Sequence, residues 1–109
     1  MQVILVVGRE WKFRALLRAQ LREEGYEALA FETLDDAEAE QAGAAALVFD
    51  TTDAGGEWLP ALRRLAHLPA VVVAGADERL EIEPATILRR PVSVGHIVSV
   101  VREVISGHP

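Results

Sequence analysis

The sequence contains no cysteine. Disulfide frameworks, thiolate metal sites and cysteine nucleophiles are therefore excluded, and the composition fits a reducing cytoplasm. Basic charge is also scarce: 11 Lys and Arg stand against 17 Asp and Glu, for a net charge of -6. A general nucleic-acid binder needs a concentrated basic surface, so that class is set aside. No apolar run approaches the roughly 20 residues of a membrane span. The apolar start, Met1 to Gly8, lacks the basic residues and the small-residue cleavage site of a signal peptide. There is no internal repeat, no Ser-His-Asp arrangement, no P-loop and no Gly-x-Gly-x-x-Gly signature. His67, His96 and His108 are too far apart to suggest a metal set. The expectation is a cytoplasmic, non-enzymatic domain spanning residues 1–109, with no contact to nucleic acid or membrane and no cofactor.

What is present is regular alternation. Val3 to Val7 is an unbroken β-branched and Leu run, as suits a strand buried on both faces of a parallel sheet. From Trp11 to Glu24 the spacing turns helical, with Phe13, Leu16, Leu17 and Leu21 on one stripe and Arg14, Arg18 and Arg22 facing away. Gly25 stops that helix. Tyr26 to Phe31 reads as a second strand. Thr33 caps a helix over Asp35 to Gln41, which Gly43 ends. Ala45 to Phe49 reads as a third strand with Asp50 at its tip. A Gly-rich loop leads to a helix over Trp58 to His67, with Pro60 in its first turn. Ala70 to Ala74 and Thr86 to Leu88 are strands four and five. Only Gly75 to Ala85, interrupted by Pro84, lies between them, so a fourth helix there shrinks to a turn or single helical turn around Asp77 to Leu80. Ser93 caps a last helix that runs to about Ile105 and ends at Gly107.

Five strands alternating with helices predict an α/β fold: a three-layer, doubly wound, five-stranded parallel sheet with right-handed crossovers. Ligands of such sheets bind at the carboxyl ends of the strands. Gly8, Arg9, Asp50, Ala74 and Arg90 fall there, so function is sought among them first.

The chain resembles the CheY-like receiver domains of response regulators. The resemblance rests on Val48-Phe49-Asp50 ending the third strand and on Gly56 and Leu59 entering the helix with Leu62-Arg63-Arg64-Leu65. It rests also on Leu68-Pro69, on Arg90-Pro91-Val92-Ser93, and on the first-helix block from Leu16 to Tyr26. It implies a flavodoxin-like sheet of order 2-1-3-4-5, two-component signalling, and a cis bond at Arg90-Pro91. In that family two acids after strand one hold Mg²⁺, and the Asp after strand three accepts a phosphoryl group. A Thr or Ser ends strand four, a Lys precedes the proline after strand five, and an aromatic residue in strand five reports the switch. Here the acceptor position keeps Asp50. The acidic pair falls on Gly8 and Arg9, with Glu10 one residue beyond. The remaining switch positions fall on Ala74, Arg90 and Ile87.

Mg²⁺ is usually held by one or two carboxylates together with phosphate and water, so Asp50 alone makes a poor site. The expectation is a degenerate receiver, or pseudo-receiver, that acts by protein–protein contact without Mg²⁺-dependent phosphorylation. Arg9 or Arg90 would pair with Asp50 in place of the metal. Asp50 could instead be a turn residue that binds backbone amides. Two further alternatives stay open. One is a genuine phosphoacceptor at Asp50, aided by Glu10, Arg90 and Mg²⁺. The other is a small-anion sensor at Arg9, Arg89 and Arg90. Trp11 and Trp58 flank the rim as covers or as packing residues. On the last helix, Val94, Ile97, Val100, Val101 and Val104 form a wide apolar surface. It is read either as core or as an interface, with a homodimer through the strand-five and last-helix face as one outcome.

Overall fold

Strand β1 is Val3–Val7, β2 Glu27–Phe31, β3 Ala46–Asp50, β4 Ala70–Ala74 and β5 Thr86–Arg89. All neighbouring pairs are parallel, and the order is β2-β1-β3-β4-β5. The computed structural model describes residues 1–82 and 85–107. Pro84 and His108, named above, lie outside them. Helices α1 (Trp11–Glu23), α2 (Leu34–Glu38), α3 (Leu59–Arg64) and α4 (Val94–Ser106) complete the expected doubly wound α/β fold. Among the described residues no helix is long and apolar enough to cross a membrane.

The continuous apolar strands have the composition they do because both faces are covered. With a side-chain period of two, Ile4, Val6, Ala46, Val48, Val71 and Val73 face one core with Leu17 and Leu21 of α1 and Ile97, Val98 and Val101 of α4. Leu5, Val7, Leu47, Phe49 and Val72 face the other, against Leu34 of α2 and Leu62 and Leu65 at α3. Register then carries the functional end. Val7 sits opposite Phe31 and Phe49, Asp50 opposite Val73, and Ala74 opposite Arg89. The strand ends at Gly8, Asp50, Ala74 and Arg90 are thereby gathered along one edge of the sheet.

Several expectations need correction. Leu16 is not on the buried stripe of α1 but is 61% exposed. Arg14 and Arg18 do not simply face away: their guanidinium groups donate to the carbonyls of Gly8 at 2.7 Å and Ala28 at 3.2 Å. One carbonyl just past β1 and one on the edge strand β2 gain side-chain donors in this way. The helix expected over Asp35 to Gln41 is one and a half turns, Leu34–Glu38, followed by a separate 3₁₀ turn at Gln41–Gly43. The Ala-rich stretch around it has helix propensity but no apolar stripe long enough to hold a longer helix on the sheet. Helix α3 ends at Arg64 rather than His67. Between β4 and β5 the shortened helix is, among the described residues, only a turn at Ala76-Asp77.

Of the two readings of the last helix, core packing describes the five residues named on it. Ile97, Val100 and Val101 are buried, and Val94 and Val104 are partly buried against the same core. All five residues therefore pack on the sheet, Val94 and Val104 with part of their surface still exposed. Arg102 of α4 pairs with Glu24 at the end of α1, which closes this layer. The Ser93 hydroxyl caps α4 by accepting from the His96 amide at 3.0 Å. Ser93→Ala is expected to lower stability by about 1 kcal/mol, read from urea unfolding, with no change in the sheet.

Candidate functional site

Asp50 closes β3 and is 2% exposed. A carboxylate held out of water in this way must be paired and hydrogen-bonded. Arg90, just past the end of β5, supplies the counter-charge: its Nη1 lies 2.5 Å from Asp50 Oδ1. The same oxygen accepts from the Thr52 amide at 3.3 Å and the Thr52 hydroxyl at 3.1 Å. Both sequence readings of Asp50 are thus met, since it is an ion-pair partner and also the acceptor of a local turn. The cation is Arg90, preceding a cis peptide to Pro91. The Arg90 backbone N–H donates to Ala74 O at 2.7 Å, which places the side chain across the end of β4. From there Nη1 also reaches Val73 O at 2.9 Å and Nη2 reaches Thr51 Oγ1 at 3.4 Å.

Thr51 and Glu78 belong to this cluster and were not singled out from sequence. The Thr51 hydroxyl donates to Glu78 Oε1 at 2.7 Å, and the Gly75 amide donates to the same oxygen at 2.9 Å. Arg90 Nη2 stands 4.0 Å from it. Arg89 donates to the carbonyls of Gly75, at 3.2 Å, and of Glu78. The one sequence signal that could have found Glu78 is its place in a joining segment too short for a helix, beside two consecutive arginines. Its contacts then depend on how the loop closes, which no periodicity encodes.

Burial works to raise the Glu78 pKa, but the Gly75 amide, the Thr51 hydroxyl and the charges of Arg90 and Arg89 together hold it below the usual Glu value. The sign follows from linkage. A carboxyl with a depressed folded pKa contributes stability at pH values above its unfolded pKa, near 4.5, and that contribution is lost as pH falls through the folded value. Wild type is therefore expected to lose stability on acidification below about pH 4.5 more steeply than Glu78→Gln. Parallel thermal melts from pH 7 to pH 3 check this, and superimposable slopes would remove Glu78 from the set of stabilising groups.

The Mg²⁺ implied by the family resemblance does not fit the residues present. Gly8 and Arg9 offer no carboxylate, and Asp50 Oδ1 already receives a guanidinium and two donors from Thr52. A Cβ added at Gly8 would stand 3.2 Å from Phe13 Cδ2 and 3.3 Å from Asp50 Cβ, so a side chain there needs these neighbours to give by a few tenths of an ångström. The chemistry available is charge neutralisation of one buried carboxylate by one fixed guanidinium.

No family model matches the chain, and no curated protein matches it. Solved structures do. A response regulator receiver protein from Sinorhizobium medicae superposes with a TM-score of 0.82 at 14% identity, over 97% of this chain and 95% of that one. The chain has the receiver fold. The receiver domain of the hybrid histidine kinase CckA gives 0.76 at 20% identity, over 94% and 98%. The beryllofluoride-activated NtrC receiver domain gives 0.77 at 21%, over 99% and 97%.

On this receiver fold the other candidates are dispersed. Ala74 is fully buried, and Ile87 packs partly buried over the core on the α3 side. Arg9 is exposed and does not join Arg90 at Asp50. It lines an open cleft of about 260 Å³ with Phe49, Gly56, Glu57 and Trp58, where the Phe49 and Trp58 rings meet edge to face at 5.1 Å. Arg89 and Arg90 are committed to the Glu78 and Asp50 clusters. The anion set of Arg9, Arg89 and Arg90 is therefore not assembled in one place. Glu10 is the residue before α1 and makes no side-chain cap there. Trp11 is 66% exposed.

Proposed function

We propose that this chain is a receiver-type signalling module that works through protein contacts, with no Mg²⁺-dependent phosphorylation and no enzymatic activity. One observation carries the reading: the acceptor-position carboxylate, Asp50, is buried and ion-paired to Arg90. Phosphoryl transfer relies on positioning and charge neutralisation at the entering group. Here the neutralising charge is spent on the carboxylate itself, and a nucleophile so engaged is both shielded and less reactive. The fold supports the signalling part. Its neighbours include receiver domains of a response regulator and of a hybrid histidine kinase, and the partner proposed for this chain is a protein of such a two-component-type pathway. A cytoplasmic setting and the unit 1–109 complete the proposal.

A two-dimensional amide spectrum tests it. Addition of millimolar Mg²⁺ followed by beryllofluoride is expected to leave the signals of Gly8, Asp50, Ala74 and Arg90 in place. Saturable shifts at those residues, spreading to Ile87 and α4, would establish a phosphoacceptor and overturn the proposal.

A further inference from the structure

Three joining segments meet over a concave patch beside α2 and α3. Arg9 follows β1, Glu32 lies between β2 and α2, and Glu57 and Trp58 precede α3. All four line the open cleft of about 260 Å³, together with the buried side chains of Phe49 and Leu34. The cleft lies where the strand order reverses, with β2 on one side of β1 and β3 on the other. A crevice opens there because the chain after β1 leads to α1 on one sheet face, and the chain after β3 leads to α3 on the other. Asp50, Thr51, Glu78 and Arg90 do not line it.

The charges of this cleft are uncommitted. Asp35, also in the lining, is taken by Arg64 at 2.7 Å. Among the described residues, however, the side chains of Arg9, Glu32 and Glu57 form no ion pair and no hydrogen bond. The Trp58 indole N–H donates to no group either. Its ring is held edge to face on Phe49 at 5.1 Å and stays half-buried, so one part of it is left to cover a ligand. A guanidinium binds a carboxylate by two parallel hydrogen bonds, and carboxylates bind an ammonium in the same charge-assisted way. A plain anion would meet the two acids and a plain cation the arginine, so the pattern favours a ligand that carries both signs.

We propose that this cleft binds a small zwitterion of the α-amino-acid class with an apolar side chain. Arg9 takes the carboxylate, Glu32 and Glu57 take the ammonium, and the side chain lies against Trp58. Size agrees, since sites for drug-sized ligands start at roughly 300 Å³ and this one is smaller, as suits a single amino acid. Binding is reversible, with no covalent step. An occupant bridges the segments that lead into α2 and α3 and so ties them together. This goes beyond the proposed signalling role and does not depend on the state of Asp50.

The test is a fluorescence titration. The chain has two tryptophans, and Trp11 does not line the cleft, so in Trp11→Phe the emission reports Trp58 alone. L-Leucine is expected to change that emission saturably, with a dissociation constant of about millimolar. N-acetyl-L-leucine lacks the ammonium, L-leucine methyl ester lacks the carboxylate, and glycine lacks the side chain. Each is expected to bind at least about tenfold more weakly. Adding Arg9→Gln, or Glu32→Gln with Glu57→Gln, is expected to weaken L-leucine by a similar factor. All three positions are exposed, so these variants keep the fold. No saturable response to L-leucine would overturn the proposal, as would an unchanged constant in the Arg9 and Glu variants. Equal binding of the ester would mean a plain cation site, of the N-acetyl compound a plain anion site, and of glycine a site without an apolar contact, and each of these results also overturns it.

Discussion

Arg90→Ala is expected to lower unfolding stability by roughly 3 kcal/mol, toward the low end for breaking a buried ion pair. The carboxylate left behind, Asp50, is 2% exposed and would retain only Thr52 as a donor near Oδ1. The value sits at the low end because the Arg90 side chain is itself 34% exposed, so water can enter where the guanidinium was. For a domain of about 100 residues this corresponds to a fall in melting temperature of about 12 °C. Urea unfolding of wild type, Asp50→Ala, Arg90→Ala and the double variant forms the deciding cycle. The double variant should be less destabilised than the sum of the single ones by about 1 kcal/mol or more, because removing both partners leaves no unpaired buried charge. Additivity within experimental error would mean that the two groups do not interact in solution, and the reading of a neutralised acceptor would go with it.

Leu47→Ala is expected to cost a similar amount, roughly 3 kcal/mol, for an unrelated reason. Leu47 is fully buried on β3, the middle strand, within the cluster that also holds Leu5, Leu62, Leu65 and Val72. Elements close on it from the sheet and from α3, so the space left by the removed methyl groups cannot collapse from one side. Leu16→Ala makes the matching control, because that side chain is largely in water. It should change stability by no more than about 0.5 kcal/mol. Equal effects at the two positions, measured as urea midpoints, would show that the packing on the α3 side is not what holds the sheet.

These two residues also mark how far the sequence could be read. The bounds of β1 and β4 are legible from their continuous Val and Leu runs, because a strand buried on both faces has no polar position to confuse its ends. The place of Asp50 and Arg90 follows from strand order alone, since parallel strands deliver their carboxyl ends to one edge. Leu16 was misread because helical spacing assigns a stripe about three residues wide, and how much of it is covered depends on the tilt of α1 over the sheet. On the last helix the spacing left core and interface both open. Its apolar surface is wide because α4 packs over β3 and β4 and beside α1 together, which burial shows and periodicity does not. Glu78 was invisible for a third reason: its role arises from where a loop without regular structure closes.

Gly8 also decides how closely the first helix and the third strand meet at the end of β1. The Phe13 ring and the Asp50 Cβ have both settled within 3.3 Å of where its side chain would begin. A side chain introduced at position 8 would press on that ring and stand beside an acid already matched to its arginine, so Gly8→Asp needs its neighbours to give by a few tenths of an ångström. The close of β1 thus works as a spacer, a position whose lack of bulk lets the carboxylate and the ring share one corner of the sheet.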